Sequence, residues 1–469
     1  MSAIRDSYDV AVVGAGPAGL AAATACANAG LATVLFDEQT TAGGQIYRAI
    51  TETPVQARSV LGERYWQGST LVGALYASGA QHVAGATVWS LTRDREIGVS
   101  IAGAAHLTRA QRVILCTGAL ERPFPIPGWT LPGVMTAGAA QVLLKSSGLI
   151  ASGRTVLAGC GPLLWLVAWQ YLNAGGKIEA ILDTTSQENG RRALAHVLPF
   201  LFSRYFGEGL KLMRAVKRKV RVISGVTALR AMGEARLNSV HYRCGGREEE
   251  TLTVDTLLLH QGVVPNVNLA LAAGIEHHWD DAQLCWTPVL DDFGNSSVKD
   301  IAVAGDGAGI AGAEAAAWRG RLAAIAAARA LRATVRETDE KHARRMIARW
   351  LRGRAFLDAR FQPASAFRIP SGDTIVCRCE EVTAQEIIDT VARGCPGPNQ
   401  MKAFLRCGMG PCQGRLCGLT VTELMAEARG VSPQQVGYYR LRPPVKPITV
   451  GELAALPKTE AAVKAVVRI

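Results

Sequence analysis

Short apolar runs alternate along the chain with longer stretches of helical periodicity. Residues 8–13 (YDVAVV) predict a buried strand, 17–29 an Ala-rich helix, and 32–37 (ATVLFD) a second strand. This βαβ unit predicts a doubly wound parallel sheet of the α/β class. The pattern returns with a strand at 154–158 (RTVLA), a helix at 162–174 and a strand at 178–182 (IEAIL). Between the two units, 70–112 reads as a β-rich excursion and 112–116 (RVILC) as a strand ending in Thr117-Gly118. Further on, 191–219 reads as helical and basic, 252–260 (LTVDTLLLH) and 300–304 (DIAVA) as strands, and 310–333 as a long helix. A basic connector runs to 362, a cysteine-dense segment spans 374–418, and Arg442-Pro443-Pro444-Val445-Lys446-Pro447 predicts an extended tail.

The strongest chemical signal is Gly14-Ala15-Gly16-Pro17-Ala18-Gly19, which follows a strand and opens a helix. The first glycine permits a tight turn, the second lets a pyrophosphate approach the backbone, and the third lets helix and strand pack closely. The helix N-terminus offers free N–H groups and the positive end of its dipole to phosphates. Asp37 closes the second strand, where a carboxylate can accept hydrogen bonds from an adenosine ribose.

A second loop, Gly159-Cys160-Gly161-Pro162-Leu163-Leu164, has the same placement, and Asp183 follows its next strand. Leu164 replaces the third glycine and is expected to push the helix off the strand. Asp183 favours a 2′-hydroxyl over a 2′-phosphate, hence NAD or an adenine nucleotide over NADP. Retention of the fold with ATP, AMP or no ligand is the favoured reading over a working NAD(H) site. Cys160 reads as a packing residue.

Eleven cysteines, without a signal peptide in the sequence given, point to reduced thiols, cofactor ligands and the cytoplasm. No short-spaced pair precedes Cys377, so a redox dithiol in the nucleotide-binding units is missing; Cys26 and Cys116 read as buried and inert. Cys377-x-Cys379, then Cys412-x4-Cys417, can close a zinc site or a 2Fe–2S cluster. C-x-C is tighter than the usual zinc spacing, which favours the cluster. Spacing alone leaves Cys407 as a rival ligand, because it stands in the same x4 relation to Cys412.

The net charge of +12 is concentrated. Arg204 to Arg221 carries +6 and Arg319 to Arg354 carries +8, which leaves the remainder nearly neutral. No basic run has the interleaved aromatic residues of a single-strand groove, so nucleic acid is not an expected partner. The stretches read as solvated helix faces or as docking surfaces for an acidic subunit or an anionic membrane. No 18-residue apolar stretch is free of charge, so no spanning helix is expected. No hydrolytic motif stands out either.

Three more motifs carry a family resemblance. Gly43-Gly44-Gln45-Ile46-Tyr47-Arg48 lies past the second strand, Cys116-Thr117-Gly118 ends a later one, and Gly305-Asp306-Gly307 follows DIAVA. The set resembles the two-dinucleotide-binding-domain flavoproteins, a group that includes thioredoxin reductase. The resemblance implies FAD held by Gly14, Ala15, Gly16, Pro17, Ala18, Asp37, Glu38, Gly44, Gln45, Arg48, Thr117, Gly118, Gly305 and Asp306. Asp306 would take the ribityl and phosphate part, and a helix start near Gly307 to Gly309 would face the flavin. A second nucleotide would lie on Gly159, Gly161, Pro162, Leu163 and Asp183. The cysteine segment resembles the bacterioferritin-associated-ferredoxin-like 2Fe–2S domain, which implies Cys377, Cys379, Cys412 and Cys417 as ligands and leaves Cys407 outside.

The order GAGPAG, GGQIYR, TGALERPFPIPGWTLPGVMTAGAAQ, GCGPLLW, HQGVVPN, AGDGAGIAGAEAAAWRG, CRCEEVT, RCGMGPCQGRLCG and YRLRPPVKP spans nearly the whole chain. It resembles the FAD-containing α chains of heteromeric dye-linked dehydrogenases: opine oxidases, D-hydroxyproline and L-proline dehydrogenases and hydrogen cyanide synthase. That implies amine oxidation in a β subunit of D-amino-acid-oxidase type, FMN at a subunit interface, a small ferredoxin-like subunit, and a quinone or membrane acceptor at the inner face. The implied domains are 1–118 with 288–340 (FAD), 119–287 (second nucleotide fold), 341–371 (connector), 372–430 (2Fe–2S) and 431–469 (tail). The rival readings are a stand-alone NAD(P)H-dependent reductase and a scaffold holding structural zinc.

Overall fold

A computed structural model of the chain describes residues 4–54 and 57–457. The ends of the first expected domain and of the tail, 1–3 and 458–469, lie outside them.

The first expected unit is present as strand Ser7–Val13, helix Pro17–Asn28 and strand Thr33–Asp37. Its two strands pair in parallel, with Val10 opposite Thr33 and Val13 opposite Phe36. They belong to a seven-stranded sheet closed on one flank by Gln81–Ala84 and on the other by an antiparallel meander. Strand Ala104–Leu115 explains the mixed character. Its first half pairs antiparallel with Glu96–Ile101, while its second half pairs in parallel with Ser7–Val13 and Ile301–Val303. Its burial changes accordingly, from alternating exposure to the continuous core run Val113–Leu115. The expected excursion at 70–112 therefore needs correction. Residues 63–77 are helix, and Gln81–Ala84 joins the parallel sheet.

The second nucleotide fold has a five-stranded parallel sheet in the order 221–224, 178–183, 155–160, 256–261, 134–136. An antiparallel three-stranded sheet packs beside it. The single strand expected over 252–260 is two: Glu249–Thr253 in the small sheet and Thr256–Gln261 in the parallel one. The expected basic helix is three, Glu188–Leu194, Val197–Leu201 and Arg204–Lys217. Both crossings between the two folds run side by side, as strand Ala119–Glu121 pairs antiparallel with Val263–Pro265. The cysteine-rich segment forms its own small core around Val376, Ile387, Met401, Val421 and Tyr439. No helix among the described residues is long and apolar enough to cross a membrane.

Strand His277–Asp280 carries a pH-sensitive point. His277 Nδ1 donates to the Ile275 carbonyl at 2.8 Å, while its Nε2 is buried without a partner among the described residues. Burial pulls its imidazole down to about 4. The unfolded chain takes up the proton near 6.5, before the folded chain does, so stability is full above that pH and falls between about 6.5 and 4. Urea midpoints over this range should show wild type losing up to about 3 kcal/mol relative to His277→Asn.

Candidate functional site

Strand Ser7–Val13 delivers the first loop, and Gly14 turns with φ +103° while its N–H donates to the Phe36 carbonyl at 2.7 Å. A Cβ on Gly19 would stand 1.7 Å from the Gly14 carbonyl oxygen, and one on Gly14 2.4 Å from that of Cys116. Helix and strand meet here backbone to backbone. Around Gly16 the space is open; the nearest atom to a Cβ would be Gly44 Cα at 3.9 Å. Gly16 also caps helix Pro17–Asn28 without a side chain over the free N–H groups. Open space in front of an uncapped helix start fits a pyrophosphate. Gly19→Ala should abolish flavin retention, as read by absorbance after gel filtration, because nothing but backbone can move aside.

This loop opens on a cavity of about 1790 Å³ between the two nucleotide folds. Every residue expected at the first site lines it except Ala15 and Gly305, which are buried behind its wall. Arg48 lines the cavity at 9% exposure, and its Nε has no partner among the described residues. Beside it, the buried Lys145 Nζ donates to the Gln45 carbonyl at 3.2 Å and to Gln141 Oε1 at 2.9 Å. Burial, then the charge of Arg48, pulls the Lys145 amine down to about 7. Among the described residues Arg48 forms no ion pair with a carboxylate, so its buried guanidinium fits an anion in the cavity.

Asp37 turns inward. Its carboxylate accepts the Ala15 N–H at 2.5 Å and the Gln39 N–H at 2.7 Å, so it organises the loop. Burial raises its pKa against those bonds. Glu38 faces the cavity mouth and accepts a bond from Lys446 Nζ at 2.6 Å. Asp306 Oδ1 accepts the N–H groups of Ala311 (2.9 Å) and Gly312 (3.0 Å). The α-helix expected near Gly307 to Gly309 starts later, at Ala313, after a short 3-10 turn over Gly305–Ala308.

The second loop takes another path. Gly159 has φ +138° and Gly161 φ +110°, whereas Gly16, the counterpart of Gly161, is at −74°. Leu164 is fully buried in the core with Trp165 and Ala168, so its side chain is absorbed by a different entry into helix Pro162–Asn173. Pro162, Leu163 and Asp183 line the shared cavity, while Gly159 and Gly161 are buried behind it. Asp183 Oδ1 is held by the Thr185 N–H at 2.9 Å and hydroxyl at 2.5 Å. Cys160 is buried, its thiol donates to Gln261 Oε1 at 3.2 Å, and burial pushes it up to about 12. The connector rests on this loop through the Phe361 carbonyl, 3.4 Å from the Cys160 sulfur.

Sequence reasoning missed a pair at this junction. His260 Nδ1 lies 2.6 Å from Glu121 Oε1, and Glu121 Oε2 accepts the Gly138 N–H at 2.9 Å. The ring's Nε2 faces Gly161. The available signal was a histidine and a glutamate at the ends of two strands beside glycine turns. Lys145 carried no signal, since one lysine on a polar-looking helix resembles any surface lysine.

In the C-terminal segment, the sulfurs of Cys377, Cys407 and Cys417 lie within 4.8 Å of one another and all three residues are buried. Cys407, which the resemblance left outside, stands among them. Cys379 is exposed and Cys412 half-buried, and the two free thiols are hydrogen-bond neighbours. Hydrogen bonds from Cys407 and Cys417 pull the Cys377 thiol down to about 2, while Cys417 is raised. Three buried sulfurs this close together suit a metal, and with Cys379 and Cys412 the five cysteines exceed the four ligands that zinc or a 2Fe–2S cluster requires. Gly408 and Gly414 let the loop pass the Tyr439 ring, where a Cβ would lie 2.5 and 2.7 Å from ring atoms.

The two centres are joined by short contacts. Thr117 Oγ1 donates to the Asn266 carbonyl at 3.0 Å, the Asn266 N–H to Gly118 at 2.9 Å, and Asn268 Nδ2 to the Gln413 carbonyl at 3.0 Å. Deeper in the same interface, Glu423 lies between the buried Arg122 and Arg368 and forms ion pairs with both.

The pyridine nucleotide-disulphide oxidoreductase family matches residues 8–330, and the sarcosine oxidase A3 domain matches 371–456. The chain is 48% identical to the A-type subunit of opine oxidase from Agrobacterium tumefaciens (strain Ach5), over 99% of this chain and 94% of that one. It is 32% identical to the HcnB subunit of hydrogen cyanide synthase from Pseudomonas aeruginosa, over 93% and 96%. Among solved structures, L-proline dehydrogenase from P. horikoshii superposes with a TM-score of 0.69 at 18% identity, covering 95% of this chain and 79% of that one, a likeness of fold. The first nucleotide fold is thus a dinucleotide-binding domain of FAD type, and the chain is an oxidoreductase subunit that belongs to the family of opine oxidase A-type subunits.

Proposed function

We propose that this chain is the electron-transferring FAD/2Fe–2S subunit of a heteromeric dehydrogenase. An amino acid, imino acid or opine is oxidised in a partner subunit of D-amino-acid-oxidase type, and electrons leave to a quinone-type acceptor. FAD and a one-electron centre together supply the means to split a two-electron transfer. The observation that carries this reading is the run Thr117–Asn266–Asn268–Gln413, which ties the FAD cavity to the loop between Cys412 and Cys417. The FAD ligands are the residues around the first loop, with Arg48 and the start of helix Pro17–Asn28 facing the phosphates. The proposed cluster ligands are Cys377, Cys379, Cys412 and Cys417, with Cys407 as competitor. The division into domains at 118, 287, 340, 371 and 430 is part of the proposal. So are FMN at the subunit interface, a small ferredoxin-like subunit, and ATP, AMP or NAD at the second loop. Exposed Leu198 and Phe202 beside basic helix Arg204–Lys217 support docking to a partner protein or to the inner membrane face.

A stand-alone NAD(P)H-dependent reductase is the second reading, favoured by Asp183 lining the same cavity as the FAD residues. The chain purified anaerobically should hold flavin and about two irons, and should neither bleach with NADH nor oxidise an opine alone. Rapid bleaching by NADH would make it a reductase. Full-rate amine oxidation without a partner would end the subunit reading.

A further inference from the structure

We propose that the C-terminal tail completes the adenosine end of the FAD site and that the cysteine loop adds a cation to the same cavity, with Lys446 and Arg415 as positioning residues for FAD retention. The tail returns over the first sheet. The Val445 side chain is 3% exposed within that sheet's own core, beside Val34, Phe36 and Val88, and its N–H donates to the Trp89 carbonyl at 2.9 Å. Helix Val450–Ala455 fixes the tail a second time, through Glu452 on the Ser100 hydroxyl. Between these anchors, Lys446 is held at the cavity wall with its ammonium 2.6 Å from Glu38.

Val445 and Lys446 line the cavity together with Phe36, Asp37, Glu38 and Val88, at the C-terminal end of the second strand. In a dinucleotide fold the adenosine ribose lies at that end. Arg415 reaches the same cavity from the cysteine loop. Its Nε donates to the Cys412 carbonyl at 3.0 Å, and it forms no ion pair with a carboxylate among the described residues. One cation therefore latches the strap across the acid at the mouth, and a second brings positive charge from the cluster side toward an anionic dinucleotide.

This inference rests on FAD being the ligand of the first fold, and the test separates the two. FAD affinity of the full-length apoprotein is measured by quenching of flavin fluorescence on rebinding. Lys446→Glu, which repels Glu38, should weaken binding about tenfold. Arg415→Ala should weaken it about fivefold, the scale of a half-exposed ion contact. Lys446→Arg, which keeps a cation on Glu38, should stay within about threefold of wild type, and Lys446→Glu should melt like wild type, which a misfolded tail would not do. Wild type that fails to bind FAD overturns the FAD reading. Wild type that binds, with unchanged affinity in Lys446→Glu and Arg415→Ala or with Lys446→Arg as weak as Lys446→Glu, overturns the strap.

Discussion

Alanine variants of the C-terminal cysteines are expected to fall into two classes by iron content. Cys377→Ala and Cys417→Ala belong to both candidate ligand sets and should lose the metal. If the two short pairs hold the cluster, Cys379→Ala and Cys412→Ala lose it too, while Cys407→Ala keeps about two irons per chain. Loss of iron in Cys407→Ala and in only one of Cys379→Ala and Cys412→Ala would put the buried trio Cys377, Cys407 and Cys417 in charge, with that outer cysteine as fourth ligand. Cys395, buried against the Gly397 carbonyl at 3.5 Å, is the control and should keep iron in either case. Iron and labile sulfide assays on anaerobic protein decide this, and equal zinc without sulfide would remove the cluster altogether.

Glu423→Ala should be the most destabilising single change at the interface between the cysteine-rich core and the nucleotide folds. Glu423 and Arg122 are each only 3% exposed in their side chains, and Arg368 14%. Burial, with Arg122 nearby, already pulls the Arg368 guanidinium down to about 10. Removing this carboxylate leaves two buried cations facing each other, with Glu427 alone still acting on Arg368 among the described acids, a loss on the order of 3–5 kcal/mol. Thermal melts should show the cysteine-rich segment unfolding early in Glu423→Ala. Glu423→Gln, which keeps an acceptor, should fall between. A melt like wild type would show that water replaces the acid.

The first βαβ unit is legible because its signals are local. A strand, three glycines and a helix start lie within 13 residues, and the backbone contact that requires Gly19, with the Gly14 carbonyl, lies inside that stretch, although Gly14 itself packs on Cys116 of a later strand. The early part of the excursion is not, because Glu63–Ala77 buries only Tyr65, Gly68, Val72 and Leu75, a weak stripe that does not announce a helix. The split of 252–260 turns on Val254 and Asp255, where the chain changes sheets within an apolar run. Spacing raises Cys407 as a candidate and predicts an extended tail, but where each one sits is beyond reach for a different reason. The position of Cys407 depends on a tyrosine 32 residues away, and Lys446 meets a glutamate 408 residues earlier. Leu164 departs visibly from the glycine pattern, but its accommodation lies in the turn at Gly161, which spacing does not reveal.

The paired crossings Ala119–Glu121 and Val263–Pro265 constrain how this family can vary. Val263 sits opposite Glu121 and Pro265 opposite Ala119, so an insertion in one crossing must be matched by one in the other. A slip of one residue would turn Glu121 to the opposite side of the ribbon and away from His260. Length changes between homologous subunits should therefore gather in the surface loops, and the distance between these two crossings' ends should stay invariant while sequence drifts around them.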